Sequence, residues 1–549
     1  MTDAAQFLPV LIVGAGPVGL ALAGDLGWRG RRCLIVEQGD GSIYQPRMDF
    51  VGIRTMEFCR RWGLVDAVEH SPYPRDYPQD NMYLTSLNGY ELGRERFPAM
   101  QDEVAPPQSP QHRERCPQNM FDPILLQWCR SMPRQVEMRY RTKLVDFTQD
   151  ADGVSAELEA VESGKHETIR ARYLVGCDGA ASRVREVLGI PMQGKPVLTY
   201  TTNVIFRCPD LVKMHDKGKA YRHIFVGPEG TFATIVAING RDQWRLSIIG
   251  NADKKTHSEA DIRAAIRRVA GFDFDYEILS VLPWVRRALV ADEFGKGRVF
   301  IAGDAAHLTS PTGGFGMNMG IQDAVDLSWK LDACLAGWGG PHLLESYTPE
   351  RRPVSIRNVN EASGNLGRMR SPGENRALLD DTPEGEALRA RLGKEFTAAM
   401  TREWHTLGIH LGYRYDDSPI IWPDGTPTPP MEVMTYDQTA RPGARAPHVW
   451  LKDGRSTLDL FGKGFVLLRL GHAAPPGDAL AKAADQRGVP LVEVALDEAE
   501  VARAYERRLV LVRPDGHVAW RDDRMPADPL RLIDCVRGAG GEGRGGGSR

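Results

Sequence analysis

Apolar residues enter this chain in short, differently spaced groups. Leu8–Val13 is a run of strand length, and Leu20, Ala21, Leu22 and Leu26 follow at helical spacing. A second strand is predicted over 32–36, which gives a βαβ order. Two later strands end at Tyr173-Leu174-Val175-Gly176 and Val299-Phe300-Ile301-Ala302. After the second of these, Ile321, Ala324, Val325, Leu327, Leu331, Cys334 and Leu335 mark the buried face of a helix. Residues 200–207, 222–226, 231–238 and 243–249 read as strands, separated by turns such as Gly227-Pro228-Glu229-Gly230 and Asn239-Gly240. Residues 371–440 are rich in Pro, Gly and charge and read as a linker with one helix over 383–401. From 441 onward, apolar runs at 465–470, 491–494 and 509–520 alternate with helical stretches.

Each strand of the first region ends in a motif. Gly14-Ala15-Gly16-Pro17-Val18-Gly19 joins the first strand to its helix. Gly14 permits the tight turn, Gly16 lets the backbone approach a pyrophosphate, and Gly19 lets helix and strand pack closely. Pro17 and Val18 open the helix, whose N-terminus offers free N–H groups to phosphate oxygens. Glu37, with Gln38 beside it, closes the second strand, where a carboxylate accepts hydrogen bonds from ribose hydroxyls and repels a 2′-phosphate. This end therefore suits FAD or NAD(H), not the adenosine end of NADP(H). Cys177-Asp178-Gly179 and Gly303-Asp304-Ala305-Ala306-His307 end the other two strands. The run Pro311-Thr312-Gly313-Gly314-Phe315-Gly316-Met317-Asn318 then opens the long helix. Its free N–H groups suit negative charge on a reduced flavin. Three such motifs in this order describe a site for a large dinucleotide, expected to be FAD.

A length of 549 residues leaves room for two to four domains. The net charge of −3 gives no reason to expect a nucleic-acid partner. Eight scattered cysteines form no CxxC pair, which disfavours zinc and dithiol chemistry and fits a reducing compartment. No metal site is expected. Neither a signal-like segment nor an apolar run of membrane-spanning length is visible, so the expectation is a cytoplasmic protein without a membrane partner. The Gly/Arg-rich stretch 538–549 is expected to be a disordered tail.

The set of motifs resembles the single-component flavoprotein aromatic hydroxylases, the family of para-hydroxybenzoate hydroxylase, phenol hydroxylase and 3-(3-hydroxyphenyl)propionate hydroxylase. The resemblance covers about residues 8–375. It implies that Gly14, Gly16, Gly19 and Glu37 hold the adenosine diphosphate half of FAD. It also implies that Arg47, in Pro46-Arg47, lies near flavin and pyridine nucleotide, that Gln118 contacts FAD, and that Leu144 offers a backbone contact to adenine. Asp178 would serve FAD and NAD(P)H, and Asp304, after Gly303, the ribityl chain. Pro311 would face the flavin, and Gly314, Gly316, Met317 and Asn318 its pyrimidine ring. Arg47 and Pro311 are the closest to catalytic residues in this reading, since the flavin carries the chemistry. His307 is expected to pack behind the loop. Cys116-Pro117-Gln118, Gly314-Phe315-Gly316-Met317-Asn318 and much of the C-terminal part also resemble the RebC-like branch, which implies that a bulky polycyclic substrate fits.

The expected fold is α/β. It comprises a discontinuous Rossmann-like FAD-binding domain (1–190 and 291–375), an inserted β-sheet substrate domain (191–290) and a helical linker (376–440). A thioredoxin-like α/β domain follows (441–537), in which Gly471-His472-Ala473-Ala474-Pro475 replaces any dithiol and leaves packing or homodimer contacts as its role. Residues 231–238 carry no charge, so the substrate is apolar or neutral, or its carboxylate is gripped elsewhere. Arg222, His223, Phe225, Thr234 and Trp284 are the substrate-site candidates, with Arg245 beside them. Against this stand ordinary roles as solvated strand arginines and a core tryptophan. The expected reaction hydroxylates a phenolic or polycyclic aromatic with NADH or NADPH and O2 through a flavin C4a-hydroperoxide. The alternative is a non-catalytic or weakly catalytic FAD protein that shields a reactive aromatic intermediate. A flavin halogenase is disfavoured, because no Trp-x-Trp-x-Ile-Pro element occurs.

Overall fold

A computed structural model describes residues 7–250, 253–254, 256–369 and 375–540. Its first sheet is centred on Leu8–Val13, with Cys33–Val36 and Val136–Arg139 on one side and Lys165–Gly176 and Val299–Ile301 on the other, all parallel. Parallel strands are covered on both faces, which is why their sequences are near-continuous apolar runs. Helix Pro17–Trp28 is buried from Gly19 to Gly27 against the sheet and the helices Phe315–Ala336 and Gln118–Arg130. A Cβ at Gly24 would sit 2.0 Å from the Trp128 ring, so the close approach of two helices requires glycine there.

The second sheet runs in the order His307–Leu308, Glu277–Ala291, Met192–Arg207, Gln243–Ile249, Gly230–Ala237, Arg222–Gly227, Asn81–Leu84, Glu91–Glu95. The expected boundary at 191–290 is therefore too narrow: three outside strands, Asn81–Leu84, Glu91–Glu95 and His307–Leu308, complete this sheet, and Asn81–Leu84 runs parallel with Arg222–Gly227. One face packs on helix Glu259–Ala270 through Val204, Phe206, Phe225, Trp244, Ile262 and Ile266. The other looks toward the first domain.

The stretch expected to be a linker is also more than that. Helix Pro383–Trp404 carries Phe396 onto Tyr83 (ring centroids 5.5 Å apart, stacked), and with Leu392 and Met400 it closes a further apolar cluster. The helix expected over 383–401 is thus present, and it packs against strand Glu91–Glu95 of the second sheet.

The C-terminal unit is a four-stranded sheet in the order Leu491–Leu496, Phe465–Leu470, Leu509–Val512, Val518–Asp522, the first pair parallel and the rest antiparallel. Buried charges join it to the first domain. Arg513 pairs with Glu350 (2.5 Å) and Asp326 (3.1 Å), and Arg445 with Glu57 (2.5 Å). All eight cysteines are free. Residues 538–540 are docked, His342 N–H donating to Gly538 O at 2.9 Å, which corrects the start of the expected tail; 541–549 lie outside the described residues. Among the described residues no helix is long and apolar enough to cross a membrane.

Candidate active site

A single cavity of about 890 Å³ runs from the phosphate-loop turn to the inner face of the second sheet. Gly14 has φ +102°, and a Cβ there would lie 2.4 Å from Cys177 O. A Cβ at Gly19 would lie 2.0 Å from Gly14 O, so this glycine closes helix against turn without facing the cavity. Gly16 differs. Nothing stands within 4 Å of its would-be Cβ, so the space in front of it is open. No side chain caps the helix that starts at Pro17, and its first N–H groups are left for a ligand. Glu37 accepts from the N–H of Ala15 (3.0 Å) and Gly39 (2.7 Å), so it shapes the loop while lining the cavity beside Gln38.

Leu144, Asp178 and Gln118 line the same end. Asp178 also caps the short helix Arg183–Val187, accepting from Ser182 Oγ (2.6 Å) and Val184 N–H (3.1 Å), and burial raises its carboxyl above the usual range. Gln118 Oε1 accepts from the backbone N–H of Arg47 at 3.0 Å, and the Arg47 guanidinium lies 5.7 Å from the Trp284 ring centroid. Burial raises the Asp304 carboxyl, against the pull of His307 and Arg47. His307 itself is fully buried behind the loop, 2.7 Å from Asp323.

Pro311, Gly314, Gly316 and Met317 line the second glycine-rich turn. Gly314 is the helix N-cap at φ +68°, without a side-chain cap, which leaves the N–H groups of residues 315–317 without intrahelical partners. Two expected contacts are corrected. Asn318 falls on the fourth helical position and does not line the cavity; its side-chain amide donates to Gly314 O at 2.8 Å. Its side chain points away from the cavity, donating to Phe50 O (3.2 Å) and accepting from Gly52 N–H (2.8 Å). Gly303 is also behind the wall, where its Cβ would meet Val18 Cγ2 at 2.9 Å.

On the sheet side, Arg222, Thr234 and Trp284 line the cavity, and Arg245 does too. His223 and Phe225 do not. Side chains alternate across a strand, so with Arg222 facing in, these two face out. Phe225 joins the apolar core, and His223 stacks on it at 6.5 Å with its pKa depressed to about 3 by burial. The arginines are not solvated strand residues. Arg222 donates to Glu403 at 3.0 Å, Arg245 reaches Asp49 at 3.3 Å, and Arg286 donates to Thr201 Oγ1 at 3.2 Å. Glu403 Oε1 also accepts the N–H of Gly313 (3.2 Å), tying the flavin-side turn to the sheet. Asp49, Arg115, Arg286, Glu403 and Trp404 were missed by sequence reasoning. They come from four separate segments, and no local pattern marks any of them.

The open space at Gly16 and the two uncapped helix starts along one cavity fit the pyrophosphate of FAD and the pyrimidine edge of its flavin ring, which gains negative charge on reduction. Comparison with known proteins agrees. The model of the FAD binding domain matches residues 8–362, and that of the aromatic-ring hydroxylase C-terminal domain matches 439–537. The chain belongs to the FAD-dependent aromatic-ring hydroxylases. A putative polyketide hydroxylase of Streptomyces halstedii is 34% identical over 568 residues, covering 96% of this chain and 95% of that protein. RebC, in a chromopyrrolic acid-soaked structure with bound 7-carboxy-K252c, has a TM-score of 0.90 at 40% identity over 98% of this chain and 100% of that one. Aklavinone-11 hydroxylase, in a ternary complex with FAD and aklavinone, has a TM-score of 0.82 at 30% identity over 98% and 99%. The chain is thus a flavoprotein monooxygenase by family, with an α/β fold shared with both enzymes.

Proposed function

We propose that this hydroxylase uses NAD(P)H and O2 to add one oxygen atom to a polycyclic aromatic substrate that carries an acidic group. The observation that carries the reading is the continuity of the cavity: the phosphate turn, the Gly314 helix start and an arginine-lined sheet face share one space. When bound, FAD supplies hydride acceptance from the nicotinamide and the activation of O2. The residues supply the rest. The N–H groups of Phe315, Gly316 and Met317 stabilise negative charge at the edge of the ring. Arg47 and Trp284 form the wall between the cofactor end and the sheet.

The substrate class follows from the charges. Arg47, Arg115, Arg222, Arg245 and Arg286 line this half against Asp49 and Glu403. Arg115, Arg222 and Arg286 are buried, and a surplus of positive charge there favours an anionic guest. Of the two sequence expectations, the carboxylate gripped by another strand is the one these residues support. The compounds named with RebC and aklavinone-11 hydroxylase are polycyclic and set the size class.

The test is oxidation of NADH and NADPH by the purified FAD-loaded protein with phenols, K252c and 7-carboxy-K252c, with mass spectrometry of the products. The expected result is faster oxidation with the carboxylated polycycle and a product retaining one added oxygen. Tight binding of that ligand with no stimulated oxidation would favour the shielding role instead.

A further inference from the structure

Helix Gln118–Arg130 carries Asp122 one turn beyond Gln118, on the wall of the dinucleotide end of the cavity. The side chain is 6% exposed. Its Oδ2 accepts from Gln118 Nε2 at 3.1 Å, while the other end of that amide holds the N–H of Arg47. Asp122 Oδ1 has no hydrogen-bond partner. Two other acids of the cavity wall are held by arginines, Asp49 by Arg115 and Arg245, and Glu403 by Arg222. Asp122 has only an amide, and burial pushes its carboxyl up to about 7. A carboxylate there would be desolvated without a cation, beside the place of a diphosphate.

We propose that Asp122 is a cofactor-positioning residue that works as a neutral acid, donating its proton to an oxygen acceptor of bound FAD and fixing the Gln118 amide. This rests on the reading that the cavity holds FAD. The titratable groups that feel Asp122 are the Cys116 thiol, pushed up to about 12, and the Tyr140 phenol, also raised. Glu37, Lys143, Asp178 and Arg183 line the same end. Asp122→Asn leaves all of these in place and presents an N–H donor and a carbonyl acceptor at every pH.

The experiment titrates FAD into apoprotein from about pH 6 to about pH 9, followed by quenching of flavin fluorescence, in the wild type and in Asp122→Asn. The wild-type Kd is expected to rise about tenfold per pH unit above the pKa of the acid, and that of the variant to stay level. A level wild-type profile, or equal slopes in both proteins, overturns the proposal. Folded apoprotein that binds no FAD at any pH overturns the reading of the cavity along with it. Should the variant fail to fold, calorimetry of the wild type at about pH 8 in two buffers of different ionisation enthalpy decides. Uptake of close to one proton per FAD supports the proposal, and none overturns it.

Discussion

Gly16 and Gly19 lie one helical turn apart and do opposite things. Gly16 faces empty space, so Gly16→Val should leave the melting temperature of the apoprotein unchanged while FAD is lost on purification. Gly19 faces Gly14 O, so even Gly19→Ala forces backbone apart and should destabilise the fold by about 1–3 kcal/mol. Absorbance at the flavin band and thermal melting of both variants check the pair. A yellow Gly16→Val protein would mean that the phosphates lie elsewhere. Arg245 permits a second test of the site. Its guanidinium reaches Pro46 O and Asp49 from the sheet, so Arg245→Ala should raise KM for a carboxylated substrate at least tenfold, with a smaller change for its decarboxylated analogue. Equal effects on both would remove Arg245 from recognition.

Among the elements, strand Arg222–Gly227 and helix Leu407–Leu411 each bury a histidine. Burial depresses His223 to about 3 and His410 to about 4. The unfolded chain takes up these protons near pH 6.5 and the folded protein does not. Their contribution is therefore complete above about pH 6.5 and declines as pH falls toward 4. Urea midpoints should drop between about pH 7 and about pH 5, and His223→Phe, which keeps the stack on Phe225, should flatten that drop. The same strand bears on the two substrate expectations, an apolar or neutral molecule or a carboxylate gripped elsewhere. Residues 231–238 are neutral, but antiparallel pairing sets Val236 opposite Arg222 on one side and Arg245 on the other, so the charge comes from the neighbours.

Across the whole molecule, the C-terminal unit is bound to the first domain through fully buried ion pairs. Glu57 is held down to about 2 chiefly by Arg445 and Arg54, against the opposing effect of burial. Because its folded pKa lies below the unfolded value, this pair stabilises fully above about pH 4.5 and fades as pH falls toward 2. Arg445→Ala leaves Glu57 without its partner from the C-terminal unit and should cost about 3–5 kcal/mol, with the double variant Glu57→Ala/Arg445→Ala costing less than the sum. Additive losses in denaturant unfolding would show that the two residues act apart. The sequence by itself determined the βαβ start, the three glycine- and aspartate-bearing turns, the strands of the middle sheet and the family. Each of these is local: a period of two or of 3.6, or a glycine that the backbone needs within a few residues. Only the tertiary structure decided which face of Arg222–Gly227 looks inward, that Asn318 and Gly303 stand behind the wall, and that a Pro- and Gly-rich stretch supplies Glu403 and Trp404 to the cavity. Those outcomes depend on which distant segments pack together, and pairings over hundreds of residues leave no periodic trace in the chain.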